Sequence, residues 1–297
     1  MEEWTSQVEG GSFEEVMLQC IVNTDSIPPN YEHVCIKPST IQELERITTL
    51  SLQRPKAFSH GVLQGHRITG ALLYGPPGCG KTSLCWSVAK QSGFNILAPG
   101  PVDIWQARAR NNERAVKAVF NLARIMHPCI IFIDEADAIF PSRSYDDTRS
   151  QRNAFSLFLM EWDSFMTDPT SPFLLLATNR PYDLDPAVLH RAPVQIYLDV
   201  PVTEERAGIL SILLKRETLA SDVSISDLAE LTPDYTGSDL KNLCVAAALQ
   251  CIQKQPRDTR SRILVKQHFI SALESIKASR VHKSTNAKME KFHQGSK

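Results

Sequence analysis

No stretch of this chain stays apolar for anything near the ~20 residues that cross a bilayer, so a membrane-spanning helix is not expected. The first residues are acidic and polar and lack the apolar centre of a secretory leader. An excess of either charge is missing too: 32 Lys and Arg stand against 33 Asp and Glu, a formal net charge of −1. A chain so close to neutrality lacks the basic footprint of a nucleic-acid or membrane-surface binder, and no nucleic-acid partner is expected. The 7 cysteines are odd in number and include no C-x-x-C pair. That argues against a disulfide framework or zinc site and for free thiols in a reducing, cytoplasmic setting. Internal repeats are also absent. At 42% hydrophobic and 22% charged residues over 297 positions, the composition is that of a globular protein with room for two modest domains.

What is present is decisive at one point. Residues Gly75, Pro76, Pro77, Gly78, Cys79, Gly80, Lys81 and Thr82, followed by Ser83, satisfy G-x-x-x-x-G-K-[ST]. In that pattern backbone N–H groups wrap the phosphates of a nucleotide, Lys81 reaches the β and γ oxygens, and the Thr82 hydroxyl ligates Mg²⁺. The flanks agree. Ala71–Tyr74 reads as a strand entering the loop, and Leu84, Cys85, Val88 and Ala89 repeat at helical spacing beyond it. Such a helix aims its amides and the positive end of its dipole at the phosphates. Cys79 reads as a small residue that the loop tolerates.

About fifty residues after Lys81 the run Ile130–Ile133 ends in Asp134-Glu135. Two adjacent carboxylates at a strand end, where nucleotides bind in such sheets, suit two tasks. Asp134 is the candidate to hold Mg²⁺ together with Thr82, and Glu135 the candidate general base for the attacking water. Phe173–Ala177 is a further strand, and Asn179 just beyond it is a candidate to hydrogen-bond the γ-phosphate or that water. In Leu184–Arg191 the terminal arginine is a candidate finger for a neighbouring subunit's site. Alone, Asn179 reads as a turn residue and Arg191 as a surface arginine.

From Ala71 onward strands and helices alternate, the pattern of a parallel α/β sheet. Expected strands are 71–74, 94–97, 129–133, 173–177 and 195–200. Expected helical stripes are Val116, Val119, Phe120 and Ala123, then Phe155, Phe158, Leu159 and Trp162. A helix over 41–52 and a loop over 61–70 precede the first strand. After Pro201 no run of strands is expected. Thr203 is a helix cap ahead of Glu204 and Glu205, and Leu240, Leu243, Cys244, Ala247, Ala248 and Cys251 share one face of a later helix. The reading is a lead-in segment over 1–34, an α/β ATP-binding subdomain over 35–200, an all-helical lid over 201–280 and a polar tail over 281–297.

The segments GPPGCGKT, IIFIDEAD, ATNRPYDLDPAVLHR and YTGSDLKNLC together resemble, in order and spacing, the AAA ATPases over roughly residues 35–280. HPCIIFIDEADAIF, FLMEWD and LQCIVNTDSIPPNYEHVCI are most similar to the branch of mitochondrial outer-membrane extractases (the intramitochondrial sorting protein and thorase). The microtubule-severing enzymes katanin, spastin and fidgetin are close relatives of that branch. The resemblance implies a P-loop α/β subdomain with a helical lid, assembled as a homo-hexamer around a pore through which ATP hydrolysis drives protein substrates. It also implies that Gly237 lies near the adenine, where a backbone contact needs a residue without Cβ, and that Trp105, after Asp103-Ile104, grips the substrate chain.

The sequence departs from the family's pattern at two places. His190 stands where the first of two arginines is usual. Gln106-Ala107-Arg108 follows Trp105 in place of aromatic-Gly-Glu. Arg108, Arg110, Arg114, Arg143, Arg149 and Arg152 are candidates to face the pore and favour acidic substrates, or else form a solvated surface. The expected function is ATP-driven extraction or unfolding of proteins, mislocalised membrane proteins among them, at the cytosolic face of the mitochondrial outer membrane. The membrane is reached only through a substrate or an adaptor, because no anchoring segment is read in the chain. Microtubule severing, and a nucleotide-gated scaffold with weak hydrolysis, are the alternatives.

Overall fold

The computed structural model describes residues 12–104, 112–142, 149–254, 262–279 and 283–295. A short helix α1 (Ser12–Leu18) drives Met17 into the body, and α2 (Pro38–Gln53) opens on a proline, whose missing N–H costs nothing in a first turn. Next come β1 (Gly70–Tyr74), α3 (Lys81–Ser92), β2 (Asn95–Leu97), the single turn α4 (Pro101–Ile104), α5 (Asn112–Ile125) and β3 (Cys129–Ile133). The turn α6 (Ala136–Ile139) and α7 (Arg149–Asp163) lead to β4 (Phe173–Thr178), and α8 (Pro186–Arg191) leads to β5 (Val194–Tyr197). The remainder is α9 (Thr203–Leu214), β6 (Thr218–Leu219), α10 (Ile225–Glu230), α11 (Gly237–Lys254), β7 (Ile263–Leu264), α12 (Lys266–Ser275) and α13 (Lys283–Gly295).

Strands β1 to β5 form one parallel sheet in the order β2-β3-β4-β1-β5. Both of its faces are covered, which is why the strands read as unbroken apolar runs. Alternate residues serve opposite cores. Leu72, Tyr74, Ile131, Ile133, Leu174 and Leu176 pack with the α5 and α7 side, and Ala71, Leu73, Ile130, Phe132, Leu175 and Ala177 with the α2 and α3 side. Trp162 is the largest fully buried side chain among the described residues. It lies so close to Gly70 that a Cβ there would stand 2.5 Å from its ring. A third core, built from Leu210, Leu228, Leu240, Leu243, Ala247 and Phe269, belongs to the segment after Pro201.

Several expectations needed revision. The segment after Pro201 is helical apart from β6 and β7, a parallel pair two residues long on each side and too short to show periodicity. Val202, not Thr203, occupies the cap of α9: its amide is accepted by the Glu205 carboxylate at 2.9 Å, and the Thr203 hydroxyl accepts from Arg206 at 3.1 Å. β5 ends at Tyr197, although the Leu198 amide still donates to the Tyr74 carbonyl at 2.8 Å. The C-terminal residues are polar, but 283–295 form a helix anchored by Met289, Phe292 and His293. The Tyr74 hydroxyl and His293 Nδ1 are 2.7 Å apart, and Phe292 meets the Tyr74 ring edge-on at 5.3 Å. Among the described residues no helix is long and apolar enough to cross a membrane.

Candidate active site

The parallel register places Tyr74 opposite Thr178 and Ile133 opposite Leu176, so Gly75, Asp134 and Asn179 leave the sheet along one edge. The loop between β1 and α3 depends on backbone that only glycine adopts readily: φ is 148° at Gly75, 77° at Gly78 and 90° at Gly80. A Cβ on Gly75 would fall 2.0 Å from the Leu198 carbonyl oxygen. One on Gly78 would fall 2.8 Å from Thr236 Oγ1. Gly80 caps α3, and the first-turn amides at Lys81, Thr82 and Ser83 open onto a cleft of about 730 Å³. Pro77, Gly78, Cys79 and Gly80 line the same cleft, while Gly75 and Pro76 stand behind it and serve Lys81 through their carbonyls.

Lys81 is nearly buried and has an acceptor for each of its N–H bonds: Gly75 O and Pro76 O at 2.9 Å and Asn179 Oδ1 at 2.6 Å. Burial pushes its pKa down, and Cys79, Asp134 and Asp137 act the other way. The Thr82 hydroxyl donates to Asp134 Oδ2 at 2.8 Å, so the two expected Mg²⁺ ligands already face one another. Two oxygen donors of this hardness, open to the cleft beside a phosphate loop, fit Mg²⁺. The second Asp134 oxygen accepts the Glu135 amide at 2.9 Å. Glu135 has φ 50° and ψ 44°, the left-handed region that costs a side-chain-bearing residue about 1–2 kcal/mol. Its carboxylate is exposed to the cleft. Burial raises the Cys79 thiol to about 11, so it stays protonated at neutral pH.

The cleft is also lined by the apolar Val34, Ile36, Ile209 and Leu213, and by Gly237, Ser238 and Lys241 of α11. The Ser238 amide donates to the Gly78 carbonyl at 3.3 Å, and a Cβ on Gly237 would stand 3.2 Å from that oxygen. The start of α11 therefore rests directly on the phosphate loop.

The remaining candidates lie apart. Arg191, at the end of α8, does not line the cleft: its guanidinium makes two hydrogen bonds to Asp163, at 2.6 and 2.7 Å, and a third to the Ala187 carbonyl at 3.0 Å. The Asp163 bonds raise its pKa. His190 is exposed beside it. Trp105, Gln106, Ala107, Arg108, Arg110 and Arg143 lie outside the described residues. The Asp103-Ile104 part of the expected pore segment is the end of α4, with Ile104 fully buried. Arg114 and Arg152 are exposed, and Arg149 begins α7. Sequence reasoning missed Asp137 and Thr178: the buried Thr178 hydroxyl donates to Asp137 Oδ1 at 2.5 Å, immediately before Asn179. The available signal was an acid three positions beyond Asp134 and a hydroxyl residue next to the amide.

Residues 71–200 match the family described as "ATPase family associated with various cellular activities (AAA)", and residues 222–264 match the AAA+ lid domain. The outer mitochondrial transmembrane helix translocase of Danio rerio is 34% identical over 250 residues, covering 81% of this chain and 68% of that protein. Its Homo sapiens counterpart is 32% identical over 250 residues, covering 81% and 69%. A probable spastin homolog of Caenorhabditis briggsae is 36% identical over 250 residues, covering 80% of this chain and 45% of that protein.

Proposed function

This chain belongs to the AAA family of ATPases, and from that premise we propose that it is an ATP-hydrolysing motor that extracts or unfolds proteins as a homo-hexamer. The observation that carries this reading is the convergence of Lys81, Thr82, Asp134, Glu135 and Asn179 at the ends of three adjacent strands, facing one cleft. The division into an ATP-binding body over 35–200 and a lid over 201–280 is part of the proposal, supported by the separate apolar core after Pro201.

In this reading the α3 amides and Lys81 hold the phosphates, with Lys81 exchanging its loop carbonyls for phosphate oxygens. Thr82 and Asp134 would hold Mg²⁺, which when bound would supply positive charge to offset that of the phosphates. Glu135, fixed on a strained backbone at the strand end, takes the proton of the attacking water, a contribution worth about 10²–10⁴-fold. Asn179, already bonded to Lys81, orients the γ-phosphate or that water. Gly237 lets α11 approach the nucleotide, so that occupancy of the cleft moves the lid. Arg191 acts on a neighbouring copy and must first leave Asp163. Trp105 grips the substrate chain.

The substrate class, mislocalised proteins of the mitochondrial outer membrane met at its cytosolic face, rests on similarity to the transmembrane helix translocases. Microtubule severing is the second enzymatic reading, supported by the spastin homolog. A nucleotide-gated scaffold with weak hydrolysis is favoured by one observation, that Arg191 is engaged within its own chain next to a histidine.

ATPase activity measured against protein concentration for wild type, Glu135→Gln and Arg191→Ala tests the motor. The expected result is activity that rises cooperatively with concentration and collapses in both variants. Negligible turnover at every concentration, with ATP binding retained, would leave the scaffold reading.

A further inference from the structure

We propose that Asp137 is a positioning residue for hydrolysis, acting through Thr178 to hold Asn179 at the γ-phosphate end of the site. Neither Asp137 nor Thr178 lines the cleft, so neither is placed to touch the nucleotide. Thr178 is the last residue of β4 and is fully inaccessible. Its hydroxyl has one proton to give, and that proton goes to Asp137 Oδ1 at 2.5 Å. The Thr178 hydroxyl oxygen in turn accepts the Arg180 amide at 2.8 Å. These two bonds span Asn179 on either side and set the direction in which it leaves the sheet. The Asn179 side chain then meets Lys81 Nζ at 2.6 Å.

Asp137 stands on the first turn of α6, whose cap is Glu135. One short helix therefore carries the candidate general base at its start and the anchor of Asn179 within its first turn. The chain of contacts Asp137–Thr178–Asn179–Lys81 ties the end of β3 to the end of β4 and to the phosphate loop. Without Asp137 the buried Thr178 hydroxyl loses its acceptor, and the cheapest relief is rotation of Thr178, which also frees the Arg180 amide. A shift of about 1 Å in a group that orients a reacting atom can cost a hundredfold in rate. This inference rests on the hydrolase reading, but the tether is testable without turnover.

The experiment compares wild type with Asp137→Ala, Asp137→Asn, Thr178→Val and Thr178→Ser, with Glu135→Gln as the hydrolysis control. Steady-state kcat and KM, the Kd for ADP, and amide hydrogen exchange at residues 178–180 are measured for each. Asparagine at 137 still offers an oxygen to the hydroxyl but carries no charge, so it separates the hydrogen bond from the electrostatics. Asp137→Ala and Thr178→Val are expected to lower kcat about ten- to hundredfold, leave KM and the ADP Kd within about twofold, and speed exchange of the Arg180 amide. Asp137→Asn and Thr178→Ser are expected to stay near wild type in both readouts, and Asp137→Ala/Thr178→Val to be no worse than either single change.

The proposal is overturned if Asp137→Asn is as impaired as Asp137→Ala, if Asp137→Ala leaves kcat intact, or if the loss appears in KM and Kd. If wild type itself fails to hydrolyse ATP, the hydrolase reading falls and the exchange measurement alone decides the tether. Unchanged exchange at Arg180 in Asp137→Ala would remove it. Should Asp137→Ala fail to fold, the pair Thr178→Val and Thr178→Ser carries the same comparison.

Discussion

Three glycines of the phosphate loop share a positive φ, yet their surroundings differ, and so do the consequences of changing them. Gly75 is doubly constrained, by φ 148° and by a carbonyl oxygen 2.0 Å from where its Cβ would be. Gly80 has space, its nearest neighbour being Ile36 Cδ1 at 3.6 Å, and only its backbone resists a side chain. Gly80→Ala should therefore cost about 1–2 kcal/mol, the usual penalty for a left-handed residue. Gly75→Ala should cost more, because backbone must also move. Urea unfolding of the two variants checks the order, and equal losses would contradict the geometry. The motif's spacing identifies these positions. The reason for each glycine comes from what β5 and α11 bring alongside.

At the scale of elements, the lid hangs on Asp239. Its carboxylate accepts from the Thr236 amide at 3.0 Å, the Thr236 hydroxyl at 2.9 Å, the Ser279 amide at 3.0 Å and the Ser279 hydroxyl at 2.6 Å. It thus joins the start of α11 to the segment after α12. Burial pushes the Asp239 pKa up, but the hydrogen bonds from Ser279 and Thr236 outweigh it and the net shift is downward from 3.8. A depressed folded-state pKa means that the stabilisation is fully present above the unfolded value and is lost as pH falls through the folded one. Hydrogen exchange of the α11 and α12 amides should therefore accelerate as pH drops below 3.8, after correction for intrinsic rates, and Asp239→Asn should flatten that dependence. At neutral pH the same change should destabilise the lid by about 1–3 kcal/mol. The helical stripe of α11 was legible from its spacing. The polar cluster that closes the lid was not, because its members lie forty residues apart.

The whole molecule is organised around a cleft between body and lid, crossed by direct ties among the described residues. The Ser238 amide meets the Gly78 carbonyl, Cys35 Sγ packs against Gly208 so closely that a Cβ there would stand 2.4 Å away, and Lys215 pairs with Glu32 at 3.2 Å. A ligand that touches both sides should add cohesion to the folded state. Mg²⁺-ATP at about a hundredfold excess over its Kd should contribute about 2.7 kcal/mol, read as a rise of several degrees in Tm. Glu135→Gln should keep that rise and Lys81→Ala should lose it. A rise that persists in Lys81→Ala would place the nucleotide elsewhere.

The sequence by itself determined the parallel α/β class, the phosphate loop and the acids and amide at the strand ends, because backbone-wrapped phosphate and buried strands demand particular residues at short spacing. It also located the apolar stripes of the helices, since a period of 3.6 is written within a single element. Only the tertiary structure decided the engagement of Arg191 by Asp163, the docking of 283–295 on Tyr74, and the tether from Asp137 to Thr178. Each joins residues from separate elements, 28, 219 and 41 positions apart, and no local period or motif records such a pairing.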